Sequence, residues 1–433
     1  MLNARCLGVN AAGHLTIGGR DTVELAQTYG TPLYVMDENE IRGNCRSYRQ
    51  SIDKYYGGRG LVAYASKAFN CKAICRIVME EGLGLDVVSG GELYTAMSVG
   101  FPADRIIFHG NNKSPDELAM AISYGVGRIV VDNIVELHLI SQLAKSKKET
   151  AHIMLRIKPG IDAHTHNFVR TGQIDSKFGF ALETGEAMEA VKTALAAPGV
   201  ELRGLHCHIG SQIFDVEPFE LAAQVMADFM ADIRDQTGVA LAELNLGGGF
   251  GICYTSDNDP PAYDSYMERV SQAVKKTCQQ RKMETPFILI EPGRSIVGPA
   301  GITLYRVGAV KEIPGVRTYV SVDGGMTDNP RYILYQSQYT FTVASRAADA
   351  KVQGVTVAGK CCESGDLLGE NVPLQEVHPG DILAVLATGA YNYSMASNYN
   401  RSCRPPVVLV NGQAARVIIR RETYEDLIRN DEE

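Results

Sequence analysis

An α/β fold, a (β/α)8 TIM-type barrel plus a C-terminal antiparallel β-sandwich or barrel domain completed by the N-terminal strands, is predicted by three features of the sequence. From Pro32 to about Gly298, short apolar runs alternate with longer amphipathic segments, the pattern of repeated βα units. After Gly298 the runs become β-branched and aromatic and are separated by Gly and Pro, as in an antiparallel sheet. Similar runs at 15–17 and 33–36 are expected to join that second sheet, so that both termini close it.

Taken in order, the barrel candidates are residues 33–36, 61–65, 84–88, 105–109, 128–132, 152–158, 202–208, 243–247 and 287–291. Nine candidates exceed the eight strands of a closed barrel, and the first, beside the N-terminal segment, is assigned elsewhere. The barrel is thus expected over 38–298 and the β domain over 1–37 and 299–433. Strands of the β domain are predicted at 302–310, 318–322, 340–343, 352–358, 381–386, 406–410 and 415–420, with a short charged helix at 420–427. The segment 161–179, with His164-Thr165-His166 and Lys177-Phe178-Gly179, fits either a mobile active-site loop or a surface excursion.

A chain of 433 residues, 45% hydrophobic and 21% charged, has the balance of a soluble globular protein with two domains. Its net charge of −8 and the lack of a lysine- and arginine-rich stripe disfavour nucleic acid and leave small-molecule chemistry. The first residues lack the apolar core of a signal peptide, and no window approaches ~18 uninterrupted apolar residues. A cytoplasmic protein with no membrane partner is expected. Ten cysteines without a Cys-x-x-Cys pair point to reduced thiols. The pairs His164/His166 and His206/His208 lack the companions of a metal site, and no metal is expected.

Chemistry concentrates at strand ends. Lys67 follows the apolar run Leu61-Val62-Ala63-Tyr64, where a barrel keeps its reactive groups, and is either a solvated charge or an amine that captures a carbonyl. His206-Cys207-His208-Ile209-Gly210-Ser211 ends another strand with a flat ring and a hydroxyl, serving core packing or a stacking platform with a phosphate donor. Gly247-Gly248-Gly249-Phe250-Gly251 suits a tight turn or a phosphate cradle, and its spacing matches neither a P-loop nor a dinucleotide fingerprint. Glu291, ending Ile288-Leu289-Ile290, needs a cation: Arg294, or a protonated pyridine nitrogen. An amine, an aromatic face, a phosphate cradle and an acid are together what pyridoxal phosphate requires.

These stretches, with Asp86-Val87-Val88-Ser89-Gly90-Gly91-Glu92, His109-Gly110-Asn111-Asn112-Lys113, Asp323-Gly324-Gly325-Met326, Cys361-Cys362-Glu363-Ser364-Gly365-Asp366 and Gly389-Ala390-Tyr391, resemble the fold-type III pyridoxal-phosphate decarboxylases over nearly the whole chain. The resemblance implies pyridoxal 5'-phosphate as cofactor, with Lys67 binding it covalently, His208 stacked on its ring and Glu291 at its nitrogen. It implies Ser211, Gly249, Gly293, Arg294 and Tyr391 at the phosphate, with Gly248 and Pro292 in the same motifs. Cys362 matches the proton donor, which in this family enters from the neighbouring subunit of a head-to-tail homodimer together with Glu363.

For the substrate, the resemblance implies a diamino acid with a carboxylate and an ammonium at its far end, meso-diaminopimelate, giving L-lysine and CO2. Arg294, Arg331 and Tyr335 match the residues that bind the distal carboxylate, Glu363 the one near the distal ammonium, and Tyr391 touches both ligands. Carboxynorspermidine or another diamino acid is the alternative substrate, and a non-catalytic paralogue the alternative class. Two positions depart from the family pattern: Tyr332 stands where many members carry proline, and Cys361 doubles the cysteine beside the donor.

Overall fold

The structure is a computed structural model that describes residues 4–161 and 177–432. His164, His166 and most of the 161–179 segment lie outside the described residues. The chain divides into two compact units, one made of Met1–Gly43, Ile252–Asp259 and Arg294–Glu433, the other of Asn44–Gly251 and Pro260–Gly293.

The second of these units is a closed parallel barrel. Its strands are β1 (Gly60–Ala65), β2 (Gly84–Val87), β3 (Ile106–Phe108), β4 (Arg128–Val131), β5 (Ala151–Lys158), β6 (Val200–His206), β7 (Glu243–Asn245) and β8 (Phe287–Ile290). Each pairs with the next in parallel, and β8 pairs with β1, which closes the ring. Short apolar runs form these strands because both faces are covered, the barrel interior on one side and helices on the other. Ala63, Ile107, Val130, Met154 and Leu289 fill the interior. The connecting helices carry the expected stop and start signals: Ser114 and Glu117 form a reciprocal cap before Pro115–Tyr124, and left-handed Gly125 ends it. At the strand starts, Arg128 on β4 grips Glu243 on β7 through two hydrogen bonds of 2.8 and 2.7 Å. That end is closed by structure, which leaves the strand ends for chemistry.

The first unit is a sheet domain built around the long strand Gly301–Ile313, which pairs antiparallel with Leu33–Asp37, Arg317–Val322 and Ile382–Leu386. The run at 33–36 therefore lies outside the barrel, as expected. Two ladders are parallel rather than antiparallel: Leu33–Asp37 with Val407–Asn411, and Arg317–Val322 with Gln353–Ala358. Long intervening segments permit this, since parallel neighbours need a crossover and not a hairpin. Leu15–Ile17 does not join the large sheet. It sits in a separate three-stranded sheet with Leu7–Val9 and Arg20–Asp21, and Leu15 and Ile17 pack into the same apolar core as Leu33, Val35 and Ile302. The strand Leu367–Leu374 has no counterpart in the sequence reading, because Gly369, Asn371 and Pro373 interrupt its pattern. Asn371 is left-handed, and the ladder to Gln353–Ala358 is broken by register shifts. The terminal helix is Tyr424–Ile428, capped by Thr423 and Asp426.

Candidate active site

Within the barrel unit, Lys67 sits on a single 3-10 turn, Ser66–Ala68, directly after β1. Ser66 donates to Glu92 at 2.8 Å, Glu92 also accepts the Val88 N–H at 2.8 Å, and Tyr64 closes the turn onto the Phe69 carbonyl. The turn is thus pinned on both sides while Lys67 itself is exposed. Its ammonium is near enough to act on His208, Asp86 and Glu92.

His208 lies just beyond β6, half-buried, and its Nδ1 accepts the Gly248 N–H at 3.3 Å. That contact fixes the ring by one edge. Burial, then the Lys67 charge, push its pKa well below the usual histidine range, so the ring is neutral. Gly248 therefore shapes the bend and spends its own N–H on His208. A Cβ on Gly248 would stand 2.1 Å from the Glu291 carbonyl oxygen, and Gly249 has φ +115° with the Gly210 carbonyl 2.4 Å from where its Cβ would be. Only glycine fits either place. Among the described residues the Gly249 N–H has no backbone or side-chain partner, which suits an anion. Ser211 and left-handed Gln212 lie on the facing loop, and Gly293 packs where a Cβ would meet Ala65 at 2.9 Å.

Glu291 is buried just past β8, and its neighbours are two histidines and an asparagine. Oε1 accepts from His109 Nε2 at 2.7 Å and from Asn245 Nδ2 at 2.6 Å, and Oε2 accepts from His206 Nε2 at 3.2 Å. Burial raises the Glu291 carboxyl, but His109 and His206 override it and hold it well below the usual range. His206, buried, is pushed down to about 3 and stays neutral. Close by, Asp86 is raised by burial, which His109 only partly offsets, and its Oδ1 has no hydrogen-bond partner among the described residues. His109, His206 and Glu291 also form a group whose ligand-type atoms lie within 4.8 Å of one another; the close contacts from His109 Nε2 and Asn245 Nδ2 to Oε1 and from His206 Nε2 to Oε2 are hydrogen bonds to the carboxylate.

Within the sheet unit, two buried guanidiniums share a box of tyrosines. Arg294 donates to Tyr254 Oη at 2.6 Å and lies 4.7 Å from the Tyr391 ring. Arg331 lies 5.2 Å from the ring of Tyr335 and 5.6 Å from that of Tyr391. Arg331 donates to Ser337 at 3.3 Å, and its Nε has no partner among the described residues. Tyr254 meets Tyr339 edge-on at 5.2 Å. Tyr391 is left-handed at φ 62°, a strained setting for a tyrosine that places its ring against both arginines. Cys362 and Glu363 are exposed on a loop that is nonetheless well held: Asp366 accepts the Met326 and Cys361 N–H groups at 2.6 and 2.7 Å, and Asn400 accepts that of Cys362 at 2.8 Å.

Sequence reasoning gave no role to Asn245, Asp86, His109, Tyr254 or Tyr339. Asn245 carried a signal, a polar side chain between the apolar Leu244 and Leu246 that must find a buried partner. The others are set by neighbours far away in the chain.

The barrel residues fit pyridoxal phosphate on their own geometry: an ionised buried acid, an open amide at a glycine bend, a neutral ring held by its edge and an exposed lysine. Fold and site together define a pyridoxal-dependent decarboxylase. A family model described as "Pyridoxal-dependent decarboxylase, pyridoxal binding domain" matches residues 38–298. The chain is 51% identical to the diaminopimelate decarboxylase of Bacillus subtilis over 98% of this chain and 96% of that one, and 48% identical to that of Synechocystis over 98% and 91%. The crystal structure of the M. jannaschii diaminopimelate decarboxylase in complex with L-lysine superposes with a TM-score of 0.93, at 38% identity, over 100% of this chain and 99% of that one. The chain belongs to the diaminopimelate decarboxylase family.

Proposed function

We propose that the protein decarboxylates meso-2,6-diaminopimelate to L-lysine and CO2, the last step of lysine biosynthesis, with pyridoxal 5'-phosphate as cofactor. The observation that carries the substrate is Arg331, a buried guanidinium with an unpartnered Nε inside a tyrosine box. Such a group calls for a carboxylate, and diaminopimelate keeps one at its far end when the first is lost. The M. jannaschii relative, crystallised with L-lysine, supports the same product.

When bound, the cofactor supplies a sink for the electron pair left by departing CO2. Lys67 would hold it through its amine, His208 would pack against its ring, and Glu291 would keep a negative charge for its nitrogen. Ser211, Gly249, Gly293, Arg294 and Tyr391 receive the phosphate, while Gly248 and Pro292 shape the bend. Arg294, Arg331, Tyr335 and Tyr391 hold the substrate, and Glu363 takes its distal ammonium. Cys362 Sγ gives a proton to the α-carbon, a task that depends on where the thiol is placed.

Residues 38–298 serve as the cofactor-binding barrel, and 1–37 with 299–433 bring the substrate-binding and proton-donating groups. We place the protein in the cytoplasm, where no membrane partner is required; no described helix is long and apolar enough to cross a membrane. It acts as a homodimer in which Cys362 and Glu363 complete the neighbour's site, a reading supported by two exposed side chains on a tightly held loop. Turnover of meso-diaminopimelate, followed by CO2 release and lysine formation, tests the function. Preferential release from carboxynorspermidine or from a diamino acid without a distal carboxylate would overturn it.

A further inference from the structure

Oxygen by oxygen, the Glu291 carboxylate is unevenly occupied. A carboxylate oxygen has two acceptor sites. Oε1 fills both, with His109 at 2.7 Å and Asn245 at 2.6 Å, whereas among the described residues Oε2 has only the longer 3.2 Å contact from His206. Because a carboxylate only accepts, Nε2 of each histidine carries the hydrogen.

The two Oε1 donors are themselves rigidly held. The His109 N–H continues the barrel ladder to the Val87 carbonyl at 2.8 Å, and its loop is anchored by buried Lys113, which donates to Gly110 O, Val130 O and Glu136 at 2.8, 2.7 and 2.7 Å. Asn245 ends β7 and spends its Oδ1 on the Gly247 N–H at 2.9 Å, coupling Glu291 to the glycine bend. His206 sits edge-on to His109, with ring centroids 4.6 Å apart. Other charged or titratable groups interacting with this cluster include Asp86, Lys67, Arg156, Cys207 and His208.

We propose that His109 and Asn245 are positioning residues: donating together to Oε1, they fix the rotation of the Glu291 carboxylate and leave Oε2 as the oxygen that serves the ring nitrogen of pyridoxal phosphate. This rests on the reading of Glu291 as the nitrogen's partner. It adds which oxygen does the work and what aims it. A carboxylate free to rotate would share its charge between two orientations and hold the nitrogen's proton less firmly.

The test uses the holoenzyme loaded with cofactor labelled with 15N in the ring, whose chemical shift reports protonation of that nitrogen without any turnover. His109→Leu removes the donor, Asn245→Ser shortens the other, and His109→Gln keeps an N–H near the place of Nε2. In His109→Leu and Asn245→Ser the signal moves toward that of an unprotonated ring and kcat falls roughly tenfold to a hundredfold, the scale of a lost charge-assisted hydrogen bond. KM changes by less than about threefold, and His109→Gln stays close to wild type in shift and rate. Glu291→Gln is the control. If it moves the signal while neither His109→Leu nor Asn245→Ser does, the positioning role is wrong and Glu291 keeps its own. If Glu291→Gln leaves the signal unmoved, the reading of Glu291 fails and the positioning role falls with it. Should His109→Leu not fold, Asn245→Ser decides alone on the same readouts.

Discussion

Lys67 and Arg331 show how differently two cations are used in one protein. Lys67 is exposed on a turn whose backbone is pinned through Ser66 and Glu92. In Lys67→Ala the absorbance band at about 420 nm of lysine-bound cofactor should vanish along with turnover; a variant that kept full activity would remove Lys67 from the chemistry. Arg331 is buried, and if it pairs with the substrate's distal carboxylate as proposed, deleting it takes away that charge-assisted contact. Arg331→Ala should lower kcat/KM for meso-diaminopimelate by roughly a hundredfold and that for a plain diamino acid by less than about threefold. Equal losses on both substrates would mean that Arg331 only supports the fold. Both residues were singled out from the sequence, Lys67 by its place after an apolar run and Arg331 by the family motif. The full tyrosine box around Arg331 was not: Tyr335 and Tyr391 stood in the family motifs, but Tyr254 and Tyr339 carried no signal, because the box is assembled from three separate stretches.

At the scale of elements, the glycine bend after β7 and the loop before Arg331 do the positioning. Gly248→Ala would set a Cβ against a backbone oxygen 2.1 Å away, which only a shift of the bend could relieve. A loss of ~1–3 kcal/mol in stability is expected by the rule for overpacking, together with weaker cofactor binding, measured by thermal melting and by cofactor titration. The second loop is held by Asp328, whose carboxylate accepts the Gly325 N–H and the Tyr305 and Thr327 hydroxyls. The strand positions of the barrel were readable from hydrophobic period alone, since a strand covered on both faces must be apolar throughout. Leu367–Leu374 was not, because its Gly, Asn and Pro speak locally for a turn while the neighbouring strand holds it in the sheet.

For the whole molecule, pH and assembly offer two checks. Burial raises Asp328 to about 7 from an ordinary value of 3.8. Between these values the folded chain keeps a proton that the unfolded chain releases, so this group's contribution to stability falls as pH rises through that window. As pH rises from about 4 to about 7, the melting temperature of the wild type should therefore lose ground to that of Asp328→Asn, with the difference levelling off above about 7, and parallel curves across that window would contradict the assignment. The proposed shared-site dimer predicts complementation. Inactive Lys67→Ala and Cys362→Ala proteins, mixed and allowed to exchange subunits, should regain up to about a quarter of wild-type activity, because each mixed dimer contains one intact site. Mixtures that stay inactive while exchange is verified by mass would place Cys362 in its own subunit's site.

By itself the sequence determined the βα repeat, the split into barrel and sheet units and the chemical types at the strand ends, because period, glycine placement and buried charge are local properties of a chain. The tertiary structure alone decided which groups aim Glu291. His109 lies 182 residues and Asn245 46 residues away from it, and closure of the barrel sets both against one oxygen. No local pattern encodes that distance, since it follows from the stagger and tilt of eight strands taken together.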